Sequence, residues 1–335
     1  MAETVGGPKP FSIRAKEASR NFIRREYGIL LIVLIALIGG MGVITKGKTI
    51  ATANMVNVLL QSSIRGVASV GQAFVILSAG IDVSVGGVGL MCSVLGSALM
   101  TPTYLNIIGK PLSMYAAIPI MLLVGTSWGI ANGSSVARIG MPALIVTLAM
   151  WEITKGAAFH ICQGASVGYL PDNMAFFGSG TVAGVPVPII IFIAVAAVGY
   201  FVLEHTTFGR SIYAVGGNPV SAWLSGIHVK NMQFLVYVIS GFLAGLAAVV
   251  MTARVMSASM GSLAGLEIDT IAAVCVGGIS LAGGKGSVIG AIIGVIIIGV
   301  VNNAMSVLGA SPALQGIVKG VIIFTAVAAD YLRRR

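Results

Sequence analysis

Long apolar stretches separated by short polar connections make up most of this sequence. Each stretch is close to the roughly 20 residues that an α-helix needs to cross the hydrocarbon core of a bilayer. The stretches lie at residues 28–44, 55–79, 84–101, 113–136, 143–162, 186–203, 232–254, 266–283, 286–307 and 312–330. This pattern predicts an all-α polytopic membrane protein with about ten transmembrane helices.

The composition supports the same interpretation. Of the 335 residues, 57% are hydrophobic and only 9% are charged, and the mean hydropathy is +1.00. A soluble chain carries about a quarter charged residues to hydrate its surface. The composition therefore excludes a soluble enzyme, a secreted disulfide scaffold and a disordered chain.

Basic residues collect at the two ends of the chain. They are Lys9, Arg14, Lys16, Arg20, Arg24 and Arg25 before the first apolar stretch, and Arg333, Arg334 and Arg335 at the end. Because Lys and Arg concentrate on the cytoplasmic side of membrane proteins, both termini are expected to be cytoplasmic, which requires an even number of spans. Ten spans in this orientation place 13 basic residues on the cytoplasmic side and 4 on the outer side of the membrane. The other three, Arg65, Lys155 and Lys319, lie within the apolar stretches.

Three units follow from this arrangement. They are a basic cytoplasmic arm at 1–27, a transmembrane domain at 28–330 and a basic cytoplasmic end at 331–335. No cleavable signal peptide is predicted, because the basic start is long and lacks a small-residue cleavage site before a second span.

Glycine recurs at a spacing of four in several of the stretches. The sets are Gly125, Gly129 and Gly133; Gly241 and Gly245; Gly286, Gly290 and Gly294; and Gly316 and Gly320. Lipid offers no hydrophobic drive between helices, so small residues on one face hold helices together by letting their backbones approach closely. The spacing predicts a tightly packed helix bundle.

The connection at 204–231 is long and lies on the cytoplasmic side of the membrane in this orientation. It predicts two short helices, the first from Phe208 to Val215 and the second capped by Asn218 and ending at Gly226. Aromatic and aliphatic side chains exposed on an inside loop indicate insertion into a groove of a partner. These side chains are Phe208, Tyr213, Trp223 and Leu224. The alternative is that the loop folds back on its own bundle.

Residues that often carry catalysis or bind cofactors lack the spacing that such chemistry needs. The histidines are His160, His205 and His228, and the cysteines are Cys92, Cys162 and Cys275. Neither set shows a metal-ligand spacing, and the cysteines are expected to be buried hydrophobic residues. The segment 278–286 differs from a phosphate loop, because Lys285 does not follow the second glycine directly and no Ser or Thr follows it. We therefore expect no ATP site, no cofactor and no enzymatic activity, and a tight inner turn at this segment.

Several segments, taken in order, resemble the membrane permease subunit of bacterial ABC sugar importers of the ribose/galactose/autoinducer-2 type. The segments are Gly80–Gly86, Thr207–Asn218, Leu224–Ile227, Leu266–Ala273, Val276–Gly286 and Val318–Ile323. The resemblance extends from about residue 55 to residue 330. The chain departs from the family at Cys275, where such permeases usually have an aliphatic residue, and in a short outer loop at 163–185.

The resemblance implies a set of partners. Two permease chains, identical or different, would form a path through the bacterial inner membrane, and cytoplasmic ABC ATPase subunits would drive it. A periplasmic binding protein would deliver the sugar, and the surroundings would be membrane lipid with no nucleic acid. The 204–231 loop would be the coupling element. Its ATPase-docking residues would be Phe208, Arg210, Tyr213, Asn218, Trp223 and Leu224.

A path for a sugar needs side chains that donate and accept hydrogen bonds without holding the solute tightly. The candidates are Asp82, Ser84, Glu267, Asp269, Asn302 and Asn303. The first two lie in a glycine-rich segment, which predicts either a tight inner turn or a helix break at membrane depth. Two alternatives stay open, since Asp82 could cap the following helix and Glu267 could contact the binding protein.

Other polar residues in the apolar stretches have simpler interpretations. Glu152 and Lys155 are expected to neutralise each other locally, and Asn302, Asn303, Gln315 and Lys319 to bond between helices. An ion-coupled secondary transporter would need paired carboxylates in the membrane, and a channel would need a filter motif. The chain shows neither signal. The ion-coupled secondary transporter and the channel are kept as the alternative functions.

Overall fold

A computed structural model of the chain describes residues 27–332, and the basic clusters at both ends lie outside this range. The described part contains thirteen α-helices. In chain order they are α1 (Gly28–Ile44), α2 (Thr52–Leu77), α3 (Val85–Met100), α4 (Met114–Gly133), α5 (Ala143–Cys162), α6 (Phe176–Ser179), α7 (Val187–His205), α8 (Thr207–Gly217), α9 (Pro219–Leu224), α10 (Val229–Val255), α11 (Leu266–Val276), α12 (Val288–Val307) and α13 (Pro312–Leu332). A π-helical turn, Ser134–Ile139, extends α4.

Each of the ten apolar stretches corresponds to one helix, so the chain is an all-α polytopic membrane protein. Among residues 27–332, six helices are long and apolar enough to cross a membrane: α4 with its extension, α5, α7, α10, α12 and α13. The helices α1 and α3 are apolar but shorter. The ten predicted helices are confirmed, whereas a count of about ten spans is not.

The stretch 266–283 is the clearest departure from the sequence pattern. Its helix, α11, has 11 residues and ends at Val276, which is about 16 Å, or half the hydrocarbon thickness. The chain then turns, with Gly278, Gly283 and Gly284 in the left-handed region at φ of 86°, 83° and 71°. The tight turn predicted around Lys285 is therefore present, and it begins earlier than the apolar pattern indicates.

The glycine sets bring helices into backbone contact at three places. A Cβ on Gly125 would meet the backbone of Gly241, and one on Gly241 would meet the backbone of Gly129, so α4 and α10 touch. A Cβ on Gly290 would meet the carbonyl of Gly277 at the start of the turn after α11. These contacts confirm the predicted close packing. Gly316 and Gly320 of α13 differ, because an added Cβ would meet nothing there.

The helix α2 packs against four other helices of the bundle, α7, α10, α11 and α12. Every residue of the segment from Gly66 to Ser78 is buried. Cys92 and Cys162 are buried free thiols, as predicted, and Cys275 is half-buried.

The connections group at two ends of the bundle. At one end, the loop after α5 contains a 3-10 turn, Asp172–Ala175, followed by α6 and a hairpin of β1 (Thr181–Val182) and β2 (Val185–Pro186). Val167 and Ala258 exchange backbone hydrogen bonds of 2.8 and 2.9 Å, which join this loop to the segment before α11. At the other end, the turn after α11 donates from Gly284 N to the Leu77 carbonyl at 2.9 Å, next to the end of α8.

Candidate functional site

Hydrogen bonds around Asp82 stabilise the non-helical segment between the end of α2 and the start of α3. Its Oδ1 accepts from the backbone N–H of Ser84 at 3.0 Å and from the Ser84 hydroxyl at 2.6 Å. Its Oδ2 accepts from the Ser240 hydroxyl on α10 at 2.7 Å, and Asn132 Nδ2 on α4 donates to Ser84 Oγ at 2.7 Å. Asp82 is 1% exposed. The carboxylate therefore joins the break to α10 and holds Ser84 at the start of α3, and Ser84 in turn joins the break to α4.

The partners of Asp82 show how deep this break lies. Ser240 is eleven residues after Val229, the first residue of α10, which is about 16 Å along the helix. The hydroxyl of Tyr237, also on α10, donates to the Ile81 carbonyl at 3.2 Å. The non-helical backbone is therefore held inside the bundle, where irregular structure at membrane depth is tolerated because protein covers it.

Glu267 begins α11 against the start of α3. A Cβ on Gly86 would overlap its carboxylate, so this glycine makes room for the side chain. Glu267 is 8% exposed, and its Oε2 has no hydrogen-bond partner within residues 27–332. The carboxylate lines a cavity of about 170 Å³ together with Trp151 and Lys155. Lys155 Nζ lies 4.6 Å from the ring centroid of Trp151, and the described residues show no ion pair between Lys155 and Glu152, so that prediction is wrong.

Asp269, two residues further along α11, points toward different helices. Its Oδ2 lies 2.8 Å from Arg65 Nε on α2, and its Oδ1 lies 2.7 Å from Lys319 Nζ on α13. One buried carboxylate is thus held between two cations. Asp269 and Arg65 also line a polar cavity of about 290 Å³ with Gln61 and Arg254. The interhelical bond predicted for Lys319 is therefore present. The sequence pattern identified Arg65 only as a charge inside an apolar stretch and did not indicate the partner that the two cations share.

The two asparagines of α12 have different environments. Asn303 and Asn54 of α2 donate to each other at 2.7 and 2.9 Å, so the predicted interhelical bond is present at Asn303. Asn302 is 5% exposed, and neither its oxygen nor its nitrogen has a partner within the described residues. Gln315 bonds to the Ala310 carbonyl in the adjacent loop at 3.1 Å, which does not bridge two helices.

The connection at 204–231 forms the two short helices that the sequence predicts, α8 and α9. Thr206 accepts from Gly209 N at 3.2 Å, and Asn218 accepts from Ser221 N at 3.0 Å, so each helix has a side-chain cap. The second helix ends at Leu224, and Gly226 follows at φ 84°.

The six expected docking residues do not all point outward. Phe208 and Tyr213 are half-buried against the bundle, and the Tyr213 hydroxyl donates to the Gly286 carbonyl at 3.0 Å. Their expected exposure is therefore wrong, because both pack against the bundle and Tyr213 also joins the loop to the turn after α11. The other four are exposed; they are Arg210, Asn218, Trp223 and Leu224. An open groove of about 690 Å³ runs between α9 and the start of α10, and Trp223 forms part of its wall.

Within residues 27–332, no group of three or more His, Cys, Asp or Glu side chains is arranged to hold a metal ion. The buried polar groups instead lie at the break before α3, on the short helix α11 and on the long helices α2 and α12 of a membrane bundle. Such a fold and site define a membrane permease.

Comparisons with known proteins identify the family. The permease family described as "Branched-chain amino acid transport system / permease component" matches residues 54–327. The ribose import permease of Haemophilus influenzae is 38% identical, over 94% of this chain and 95% of that protein. The D-allose permease of Escherichia coli K12 is 36% identical over 92% of each chain, and the fructose import permease of Rhizobium meliloti is 33% identical over 91% and 85%. No solved structure matches.

The chain belongs to this family and is the permease subunit of an ABC importer, with ATP hydrolysis in a separate subunit. It is a multi-pass membrane protein that functions with ATPase and binding-protein partners. The relatives give no support to the secondary transporter that the sequence left as an alternative.

Proposed function

We propose that this chain forms part of the membrane path for a sugar of five or six carbons in the bacterial inner membrane. The family description names branched-chain amino acids, whereas relatives that match over most of both chains are import permeases for ribose, allose and fructose. We give the relatives more weight, because they align from end to end. The polar groups of the bundle interior also suit a solute with many hydroxyls.

Uptake into proteoliposomes tests this solute class. The chain would be reconstituted with its ATPase and binding protein, and radiolabelled ribose, allose, fructose and leucine would be offered separately. We expect ATP-dependent uptake of at least one of the sugars and none of leucine. Leucine uptake without sugar uptake would overturn the proposal, and an ATPase that cannot hydrolyse ATP serves as the control.

The exposed face of α8 and α9 is proposed to receive the ATPase subunit. Arg210, Trp223 and Leu224 are exposed there, and the groove beside Trp223 is open. Tyr213 joins the same loop to the turn after α11. A displacement of the loop would therefore be transmitted to α11, whose other end carries Glu267 and Asp269. A second permease chain and a binding protein complete the proposed assembly.

The six pathway candidates are proposed to divide into two groups. Glu267 and Asn302 keep polar atoms without a partner in the described protein, and we propose that they meet the solute. The other four are engaged with protein groups and would position the helices around it; they are Asp82, Ser84, Asp269 and Asn303. The groups differ in whether a solute would have to displace a protein bond, which costs about 1 kcal/mol or more per bond.

Ten membrane crossings with both ends in the cytoplasm are proposed for the topology. Two crossings would be unusual: α3, and the segment from Met256 to Ser287 that contains the half-length α11. Leu263 in that segment is 7% exposed. A Cβ added at Gly89 on α3 would overlap the Leu263 side chain, so this segment and α3 lie close together there. Leu263 thus anchors the loop before α11 to the bundle, as expected for irregular backbone within a membrane.

Cysteine labelling tests this topology. In a background without Cys92, Cys162 and Cys275, a thiol at Ser179 should react with an impermeant reagent added outside intact cells. A thiol at Ser221 should react only after the membrane is opened, because the charge distribution places this loop inside. Both serines are exposed, so access and not burial decides the result. The reverse labelling pattern would show that the orientation in the membrane is opposite to the one proposed.

A further inference from the structure

A groove of about 550 Å³ lies open on the surface of the bundle between α7 and α10. Both helices pack on α2, and Val70 and Phe74 of α2 form the floor of the groove. A Cβ on Gly199 of α7 would overlap the Val70 side chain, so α7 lies close to α2 along this floor. The groove therefore reaches from the surface of the bundle to a buried helix.

The walls of the groove are almost entirely apolar. They include Val198 of α7 and Val238 and Phe242 of α10. Thr126 of α4 brings a hydroxyl to the lining, but this hydroxyl donates to the Leu122 carbonyl at 2.7 Å. The lining thus offers no free hydrogen-bonding group to water or to a sugar, and it suits a hydrocarbon ligand.

The groove lies at the depth of the inner leaflet. Val202, at one end, is three residues before His205, where α7 ends, which is about 5 Å. Phe242, at the other end, is thirteen residues after Val229, where α10 begins, which is about 20 Å. Both helix ends adjoin the 204–231 connection, which is cytoplasmic in the proposed orientation. The groove therefore spans the inner half of a hydrocarbon core about 30 Å thick.

The size of the groove favours a lipid chain over a helix. An α-helix about 10 Å across would occupy about 1,200 Å³ over a length of about 15 Å. This is about twice the volume of the groove. An acyl chain is a single row of methylene groups, so it can reach the floor between α7 and α10.

Basic side chains stand at the cytoplasmic mouth of the groove. Phe234 lies one turn before Val238 on the same face of α10, and the Arg138 guanidinium is 4.4 Å from the centroid of its ring. Lys230 lies one further turn toward the cytoplasmic end, and both cations are exposed. Glu204, at the end of α7, is an acidic side chain on the opposite wall. Basic sites between helices on the cytoplasmic side attract anionic lipid headgroups.

We propose that this groove binds one acyl chain of an anionic phospholipid of the inner leaflet, whose phosphate is held by Arg138 and Lys230. The chain covers the apolar floor on α2, and the two cations select the headgroup. Neither Glu267 nor Asn302 lines the groove, so the lipid site is separate from the proposed solute contacts.

Lipid retention tests the groove. The assembled transporter would be purified with equal amounts of phosphatidylglycerol and phosphatidylethanolamine, and native mass spectrometry would count the phospholipids that stay bound. We expect one per permease chain, mainly phosphatidylglycerol. Val198→Trp should fill the groove and lower this retention about tenfold or more. Ile193→Trp is the matched control, because Ile193 and Val198 are 59% and 63% exposed on the same helix and only Val198 lines the groove. Equal retention in Val198→Trp and the wild type would overturn the proposal.

The headgroup preference tests the two cations. Arg138→Gln and Lys230→Gln should each lower the preference for phosphatidylglycerol over phosphatidylethanolamine about fivefold, since one basic side chain near an anionic headgroup contributes about this factor. Lys285→Gln, which removes an exposed lysine in the turn after α11, should leave the preference unchanged. An unchanged preference in the double variant of Arg138 and Lys230 would refute the selection of an anionic lipid.

Cross-linking in the membrane distinguishes a lipid from a protein in the groove. Phosphatidylglycerol with a photoreactive group in its acyl chain should form adducts on α7 and α10, and these adducts should be lost in Val198→Trp. In a background without the three native cysteines, a bifunctional thiol reagent should not join Val198→Cys to a second permease chain. Such a protein cross-link without lipid adducts would show that another chain covers the groove and would overturn the proposal.

Discussion

Replacing Trp223 with alanine is expected to weaken binding of the ATPase and to lower ATP-driven uptake. Trp223 is 67% exposed on α9, and Leu224 beside it is 73% exposed. An aromatic side chain that fills a partner groove commonly contributes about 2 kcal/mol or more, so the ATPase should bind about 30-fold more weakly. The permease should still insert and fold, because the cap from Asn218 to Ser221 does not involve the tryptophan side chain. Copurification of the ATPase and ATP-driven uptake measure the two effects.

The control for this variant is an equally exposed aromatic residue elsewhere. Tyr104 is 83% exposed on the loop between α3 and α4, and Tyr104→Ala should leave copurification and uptake unchanged. Trp223→Phe should recover most of the binding, since it restores the aromatic surface. If the Trp223→Ala chain retained the ATPase at the wild-type yield and activity, the docking role of α9 would be wrong.

The features predicted most accurately from the sequence depend on residues that are close together in the chain. Asn218 followed by Pro219 specifies a capped helix start, and α9 begins there. The spacing of Gly125, Gly241 and their neighbours indicates faces where backbones meet, and α4 and α10 touch there. In both cases local sterics or a local hydrogen bond determines the structure, so a single sequence contains the necessary information.

Features that depend on distant contacts could not be predicted in this way. The apolar pattern continues through Ile279, which is buried, although α11 ends three residues earlier, because hydropathy reports burial and does not distinguish a helix from a covered turn. The sequence predicts Tyr213 to be an exposed anchor. In the fold its hydroxyl donates to the carbonyl of Gly286, which is 73 residues away in the chain. The difference between Asn302 and Asn303 has the same origin, since only the fold shows that Asn303 bonds to Asn54 while Asn302 has no partner among the described residues.

Removing the charge of Asp269 should have the largest effect on stability. Its carboxylate lies between Arg65 and Lys319, and its side chain is 6% exposed while theirs are 24% and 23% exposed. In Asp269→Asn two cations would remain close together with no anion between them. Breaking a buried ion pair by removing one partner costs about 3–5 kcal/mol. The helix α13 contains no fully buried residue, so loss of this contact should loosen its attachment to the bundle.

The cluster contains two cations and one anion, so removing one cation should destabilise the protein less than removing the anion. This difference provides the control variants. In Lys319→Met, Asp269 keeps Arg65 at 2.8 Å and the cluster becomes neutral, so the loss should be small, about 1 kcal/mol. In Asp269→Asn the thermal midpoint of the purified permease should fall by about 10 °C. Adding Lys319→Met to Asp269→Asn should recover part of this loss, because one of the two uncompensated cations is removed. Equal effects of Asp269→Asn and Lys319→Met would contradict the account of one carboxylate serving two cations. Asp172→Asn, which removes an exposed carboxylate in the loop after α5, should leave the midpoint unchanged.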